Sequence, residues 1–478
     1  MNFSMIRYIL ACVMGFEALF LALPCVVAII YKEKTGWAFF STLLLCGIIW
    51  LIGTRKKPKN KVVFAREGFV AVALSWIALS IMGALPFVLS GEIPNFEDAF
   101  FEAVSGFTTT GASVLEDASV LSYTSIFWRS FTLWIGGMGV LVFMVAILPL
   151  SGSYNILLMK AESPGPSVGK FVPRIKTSAK LLYGIYFVMT VVQVILLLIG
   201  RMPLFDALIT SFGTAGTGGF GANANSLSGY SMYIQWVTII FMVLFGVNFN
   251  VYYLILAKQW KKAFKCEEMR YYFGIIGSVI ILITLNVEHM FSDFWTALHH
   301  STFQVASIIT TTAYATVDFD QWPSFSKGLL IILMFVGSCA GSTGGGIKVS
   351  RFAIIIKSFL KEMYQMIHPK GVRVIKFEGK KVEHNVLRAI NTYFTGYILL
   401  FAISIIIIGL NNFDLVTNFT AVVAALNNIG SGLSLVGPMG NFGDFSVLSK
   451  LVLSFDMLAG RLELFPILLL FIPKTWRD

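Results

Sequence analysis

The chain has 478 residues, of which 56% are hydrophobic and only 13% charged, with a mean hydropathy of +0.78. Soluble chains carry roughly a quarter charged residues, so disorder, a disulfide scaffold and an ordinary soluble enzyme are excluded. This is the composition of a polytopic membrane protein. Cys12, Cys25, Cys46, Cys266 and Cys339 are scattered, odd in number and without a CxxC pair. They read as small apolar packing residues, not as a disulfide framework or a metal site.

In chain order, apolar runs of membrane-crossing length predict spans near 8–30, 37–53, 68–90, 124–149, 180–200, 232–257, 271–287, 326–347, 388–410 and 446–472. The first follows a lone Arg7 but is long for a signal-peptide core and is soon followed by a second span, so it reads as a retained helix. The net charge of +11 would suit nucleic acid, but its distribution argues against that partner. Of the 36 basic residues, 29 fall on one side of the ten-span arrangement, in Arg7, the loops at 55–66, 160–180, 258–270 and 348–388, and the tail. The positive-inside rule then puts both termini in the cytoplasm. The opposite side holds 14 acids, from Glu33 and Glu92 to Asp444, against six bases, an asymmetry suited to gathering cations from outside.

Between spans lie apolar segments too short to cross, at about 96–105, 204–212, 294–308 and 414–428. Each runs into small and hydroxylated residues: Ser105–Ser113, Gly213–Gly221, Ser307–Ala315 and Asn427–Ser434. Aligned on their ends, these runs superpose Thr110-Gly111, Gly218-Gly219, Thr312-Ala313 and Ser431-Gly432. Another glycine follows 24 to 28 residues on: Gly136, Gly246, Gly337 and Gly460. The chain therefore reads as a fourfold repeat of helix, half-helix, extended loop and helix around a central pore. The units are 62–152, 153–262, 263–360 and 361–478, after two extra helices in 1–61. Non-helical backbone at membrane depth survives only inside protein or against a wet cavity, and carbonyls turned to a common axis can replace a cation's hydration shell. The predicted filter residues are Thr109, Thr110, Gly111, Thr217, Gly218, Gly219, Thr311, Thr312, Ala313, Gly430, Ser431 and Gly432.

Two intramembrane features read as a gate. Gly337, Gly341, Gly344, Gly345 and Gly346 interrupt one span shortly before Lys348, and each costs roughly 1 kcal/mol of helix propensity against alanine. Arg461 lies inside the last span, where a charge costs at least ~2.5 kcal/mol. It could instead pair with a carbonyl purely for stability. Other motifs fail on context. Gly216–Gly221 matches GxGxxG without a βαβ unit, Gly341–Lys348 lacks the Walker spacing and its Ser/Thr, and His299-His300 have no third ligand. No catalytic constellation converges, so the chain does not read as an enzyme.

Over essentially its full length the sequence resembles the TrkH-type potassium-translocating subunits of the Trk/Ktr/HKT superfamily. The residues that carry the likeness are Ser105–Gly111, Arg129–Gly139, Gly246-Val-Asn-Phe249, Gly341–Lys348 and Asn427–Gly430. The resemblance implies potassium uptake across the bacterial cytoplasmic (inner) membrane through a single-file pore, with K+ as the transported ligand and no covalently bound cofactor. It also implies a homodimer in membrane lipid and a cytosolic nucleotide-binding regulatory ring of the TrkA type. Arg461 and the loop from Gly341 to Lys348 would then be the barrier that the ring removes. Ala313 departs from the family's four glycines, which leaves a sodium-permeable pore as an alternative. An ion-coupled symporter is the other, for which Glu17, Asp456 and Glu463 are the intramembrane carboxylates, none within the four loops.

Overall fold

The computed structural model describes residues 1–60, 64–137, 139, 175–221 and 226–476. The predicted span 124–149 is therefore seen only in its first part, and the loop from Lys160 to Arg174 lies outside the described residues. The fold is almost entirely helical. Two N-terminal helices, α1 (Phe3–Tyr31) and α2 (Gly36–Thr54), pack on each other and on the first of four groups of helices.

The four groups share one order of elements. The first has α3 (Ala65–Ser90), the short α4 (Phe96–Phe107) and α5 (Tyr123–Gly137). The second has α6 (Ile175–Ile199), the short α7 (Leu204–Gly216), then α8 (Met232–Phe245) and α9 (Phe249–Leu256). After α10 (Trp260–Phe264) come α11 (Glu267–Val287), the short α12 (Phe294–Ile309), α13 (Ser324–Val336) and α14 (Val349–Ile367). A two-stranded hairpin, β1 (Lys376–Phe377) and β2 (Lys380–Lys381), leads to α15 (His384–Ile408), the short α16 (Leu415–Leu426), α17 (Val447–Arg461) and α18 (Phe465–Leu468).

Packing closes the groups into a ring. Each short helix packs between the long helices of its own group, and also against a helix of the preceding group. Thus α5 meets α7, α8 meets α12, α13 meets α16, and α17 returns to α4. That last contact joins the fourth group to the first.

The sequence predicts a break in only one of the late spans, whereas the structure breaks three. Among the described residues, six helices are long and apolar enough to cross a membrane alone. The predicted span 232–257 is instead two helices bent by 90° at Gly246–Asn248. The span 326–347 stops at Val336, and the span 446–472 stops at Arg461, beyond which Glu463 and Leu464 take φ of 56° and 68°. Hydropathy averaged over a span cannot register these breaks, because the few breaking residues stand inside long apolar runs.

Many acids on the predicted outer side are committed to structure. Glu33, between α1 and α2, accepts from the Tyr123 and Thr124 backbone N–H groups at 2.9 and 3.0 Å and so caps α5. Glu92 accepts from the Ser122 N–H at 2.8 Å. Asp98 pairs with Lys450 at 2.6 Å, and Asp293 and Asp414 cap the short helices α12 and α16. Glu33, Glu92, Asp293 and Asp414 satisfy N–H groups at or beside helix starts and Asp98 is paired with Lys450, which makes these acids less available as a cation-gathering rim.

Asp414 accepts from the Thr417 hydroxyl and N–H and from the Ser434 hydroxyl. These bonds, the Thr417 hydroxyl first, hold its carboxyl below the usual carboxylate range. A depressed carboxylate contributes stability above its unfolded-state pKa and loses it only as pH falls through the folded value. Asp414→Ala is therefore expected to lower the thermal midpoint at pH 7 by an amount matching ~1 kcal/mol, typical of a lost N-cap. The gap from wild type should persist down to about pH 4 and close only below it, as thermal scans across pH in detergent would show.

Candidate permeation site

The four short helices end identically. The backbone N–H groups of Thr110, Gly218, Thr312 and Ile429 donate to Ser105, Gly213, Ser307 and Ala424 carbonyls at 2.8, 3.0, 2.8 and 2.8 Å. Those of Thr109, Thr217, Thr311 and Asn428 donate to Gly106, Thr214, Ile308 and Ala425 carbonyls. This is a Schellman termination, which requires a left-handed residue at the first position past the helix. Thr109, Thr217, Thr311 and Asn428 occupy it, with φ of 57°, 56°, 59° and 53°. Three are threonines, for which positive φ is a genuine outlier and costs about 1–3 kcal/mol. Such strain persists only where the surroundings impose it.

Two residues on, each loop turns left-handed again, at Gly111, Gly219, Ala313 and Gly430. The hydrogen bonds and dihedrals together set the register: Gly430, not Gly432, matches Gly111. The predicted alignment of the fourth loop is thus two residues out. Gly432 instead donates to the Val436 carbonyl at 2.6 Å and packs against Thr420, outside the matched turn. Ser431 moves with it, one place beyond the repeated pattern. The error arose because Asn427-Asn428 stand where the other loops carry Thr-Thr or Gly-Thr, so residue type gave no anchor.

The second left-handed positions are where the loops meet. A Cβ on Gly111 would lie 1.6 Å from the Gly218 carbonyl oxygen, and one on Gly219 would lie 1.8 Å from that of Thr312. A Cβ on Gly430 would lie 2.5 Å from the Thr110 carbonyl oxygen. Ala313 holds the same conformation, and its methyl packs against the apolar cluster containing Ile429 and Leu433. The loops therefore abut in the order first, second, third, fourth, first, as the helices do. Asn428 adds a direct tie from the fourth loop to the first, its amide donating to the Thr110 hydroxyl at 3.0 Å.

The later glycines are packing sites for this ring. A Cβ on Gly136 would sit 1.9 Å from the Phe107 carbonyl oxygen, and one on Gly460 would sit 2.1 Å from that of Leu426. Behind the first loop, the buried Arg129 and Glu102 pair at 2.5 Å, and Glu102 accepts from the Ser113 hydroxyl and the Val114 N–H. Arg129 also lies 4.1 Å from the centre of the Phe220 ring in the second loop. Sequence spacing alone gave no reason to join Glu102 to Arg129.

The glycine-rich interruption lies directly against two of these loops. Gly345 donates its N–H to the Thr311 hydroxyl at 2.7 Å, and Gly346 donates to the Asn427 carbonyl at 2.9 Å. A Cβ on Gly344 would approach the Thr310 carbonyl oxygen to 2.9 Å. Gly337, Gly341 and Gly346 have φ of 69°, 72° and 77°, so the segment from Gly337 to Lys348 is an extended, turned loop. The buried Lys348 ammonium donates to the Gly344 carbonyl.

Arg461 reaches this loop from α17. Its guanidinium donates to the Thr343 carbonyl at 2.9 Å and to the Gly136 carbonyl at 2.5 Å. Both of these carbonyls belong to other groups of helices. Glu463 pairs with Arg351 at 2.6 Å, and Asp456 accepts from the Ser404 hydroxyl at 2.9 Å. Glu17 is buried, and neither of its carboxyl oxygens has a hydrogen-bond partner among the described residues. None of these three acids lies in the four loops. His299 and His300 bond separately to Gln235 and Thr316, and no cluster of three metal-ligating side chains occurs among the described residues.

A family model described as a cation transport protein, TrkH, matches residues 38–477. The chain belongs to the TrkH family. It is 38% identical to the Trk system potassium uptake protein TrkH of Salmonella typhimurium and 36% identical to that of Escherichia coli K12, covering 95% of both chains in each case. The crystal structure of the potassium transporter TrkH from Vibrio parahaemolyticus superposes with a TM-score of 0.89 at 32% identity, over 100% of both chains. The protein is thus a polytopic membrane protein of a cation transport family.

The geometry orders the substitutions by severity. Alanine at Gly111, Gly219 or Gly430 puts a methyl against a backbone carbonyl and adds about 1–2 kcal/mol for the left-handed φ. Each is expected to lower the monodisperse fraction after heating. Gly432→Ala meets side-chain atoms of Thr420 and Val436 and no backbone carbonyl, without a left-handed φ, and is expected to be milder, and Ala313→Gly to be near neutral. Equal damage from Gly432→Ala and Gly430→Ala would restore the sequence-based register.

Proposed function

We propose that this protein takes up potassium across the bacterial cytoplasmic membrane through a gated pore along the axis of the four loops, with both termini in the cytoplasm. The observation that carries this reading is the closed ring of four identically terminated short helices. Helix C-termini carry partial negative charge, so four of them converging on one ring favour a cation and repel an anion. The carbonyls of Thr110, Gly218, Thr312 and Ile429 fall at one repeated position and are the natural substitutes for a cation's hydration shell. The strained threonines fit this role, since strain stored at matched positions marks a constraint other than stability. Ala313 keeps the backbone of its glycine counterparts. That favours potassium selectivity over the sodium-permeable alternative.

Transport needs no coupled ion on this reading, because the membrane acids stand apart from the loops. Reconstituted in liposomes, the protein is expected to pass potassium in proportion to its gradient, with no accompanying proton entry. Uphill potassium accumulation driven by a proton gradient would establish symport instead.

The barrier we assign is the loop from Gly341 to Lys348 with Arg461. At an effective dielectric near 20, a cation ~5 Å from a guanidinium is repelled by about 3 kcal/mol, which slows passage by roughly two orders of magnitude. Arg461→Ala also removes two ties between groups, so a lowered thermal midpoint is expected alongside raised potassium flux. A lowered midpoint with unchanged or reduced flux would leave Arg461 a purely structural residue. A homodimer, with a cytosolic nucleotide-binding ring of the TrkA type docked on the basic loops, completes the proposed assembly. Lys357, Lys361, Lys376, Lys380 and Lys381 lie on or beside the hairpin and α14, where such a ring or anionic lipid headgroups would meet them.

A further inference from the structure

The glycine-rich loop is held from below by one carboxylate. Glu268, the second residue of α11, is 3% exposed. Its Oε1 accepts from the Ala340 N–H at 2.7 Å and from the Ser350 N–H at 3.2 Å. Its Oε2 accepts from the Asn248 side-chain amide at 3.3 Å. Ala340 and Ser350 bracket the segment from Gly341 to Lys348, so a single side chain clasps both of its ends. Asn248 lies at the 90° break between α8 and α9, and its neighbour Phe249 donates its N–H to the Gly341 carbonyl at 3.0 Å. Of the loop's other anchors, Thr311 and Asn427 are on the four-loop ring itself, and Arg461 is on α17.

The clasp continues outward. The backbone N–H of Glu268 and the Cys266 thiol both donate to Glu378 Oε1, at 3.0 and 3.2 Å. Glu378 donates its own N–H to Glu267 Oε2 at 2.9 Å, and Lys357 pairs with Glu267 while donating to the Lys376 carbonyl at 2.9 Å. Glu378 and Gly379, with φ of 51° and 72°, are the two turn residues of the β1–β2 hairpin, as a tight two-residue connection requires. The hairpin is thereby fastened to the first turn of α11, next to the residue that holds the loop.

We propose that Glu268 is the positioning residue that keeps the intramembrane loop closed, and that Glu378 couples the exposed hairpin to it. A load on the hairpin that draws Glu378 off the α11 N-terminus moves the Glu268 backbone, and both ends of the loop lose their acceptor together. Hydrogen bonds to an ionised acceptor are stronger than neutral ones, and an amide at this position cannot accept from three donors. The proposal rests on the reading of the loop as the barrier to flux.

Cys339, a buried free thiol within the loop, is a native reporter of its release. The experiment compares wild type, Glu268→Gln, Glu268→Asp, Glu378→Ala and a variant shortened between Gly341 and Gly346, each reconstituted without any cytosolic partner. Potassium flux and the rate of Cys339 alkylation by a maleimide, read by peptide mass spectrometry, are measured on the same preparation. Glu268→Gln is expected to raise both by roughly tenfold, the factor equivalent to ~1.4 kcal/mol of lost bias toward closure. Glu378→Ala, on the exposed hairpin, should raise both by a smaller factor, and Glu268→Asp should restore part of the protection. Unchanged alkylation in Glu268→Gln and Glu378→Ala would overturn the clasp. Faster alkylation without faster flux would overturn its control of transport, and if the shortened variant also fails to gain flux, the fault lies in reading the loop as the barrier.

Discussion

A chain that leaves the helical conformation at the depth of a membrane must find partners for its backbone polar groups within the protein, because lipid offers none. This protein does so four times, and most of its architecture follows. Each short helix terminates through the same pair of backbone hydrogen bonds, which commits the next residue to left-handed φ. That commitment turns the loop, and at Gly111, Gly219 and Gly430 the second left-handed residue brings it against its neighbour's carbonyl at a distance that no side chain fits. The long helices are then shaped by what they enclose: Gly136 and Gly460 let α5 and α17 lie against the last carbonyls of α4 and α16. The Arg129–Glu102 pair braces the first loop from behind and reaches the second through Phe220.

The same constraint reappears on the other side of the ring, in a different form. The interruption after α13 exposes a run of backbone groups, and these are satisfied by Thr311, Asn427, Glu268, Arg461 and Lys348, drawn from several elements. A loop whose hydrogen bonds come from several separate elements is easier to release than one held in a helix, since each bond can be withdrawn separately. On the proposed reading, Arg461, whose guanidinium donates to the Thr343 and Gly136 carbonyls, places positive charge beside this loop, while Arg351 is paired with Glu463. In that proposal, closure and cation repulsion arise from one set of residues.

Much of this was legible in the sequence, and the reasons are physical. Half-length apolar segments followed by Gly and Thr clusters cannot be stable lipid-facing helices, so four of them in series announced the loops at Thr109–Gly111, Thr217–Gly219 and Thr311–Ala313 in their correct register. The fourth loop was misplaced by two residues because Asn427-Asn428-Ile429 lacks the hydroxyl pattern, although its backbone follows the same path. The breaks at Gly246–Asn248 and after Arg461 were invisible to hydropathy, since an interrupted helix and a continuous one have the same composition. Contacts between distant segments were hidden altogether. Nothing local joins Glu268 to Ala340, Arg461 to Gly136, or Glu33 to the start of α5.

On the proposed reading, the transported cation sheds its water at the ring formed by Thr110, Gly218, Thr312 and Ile429. Anomalous diffraction from crystals soaked in rubidium or thallium salts tests it most directly. One or more anomalous peaks are expected on the axis between the four loops, at carbonyl distance from these residues. Peaks confined to the acids of the outer surface, or to the membrane acids Glu17 and Asp456, with none on that axis, would contradict it.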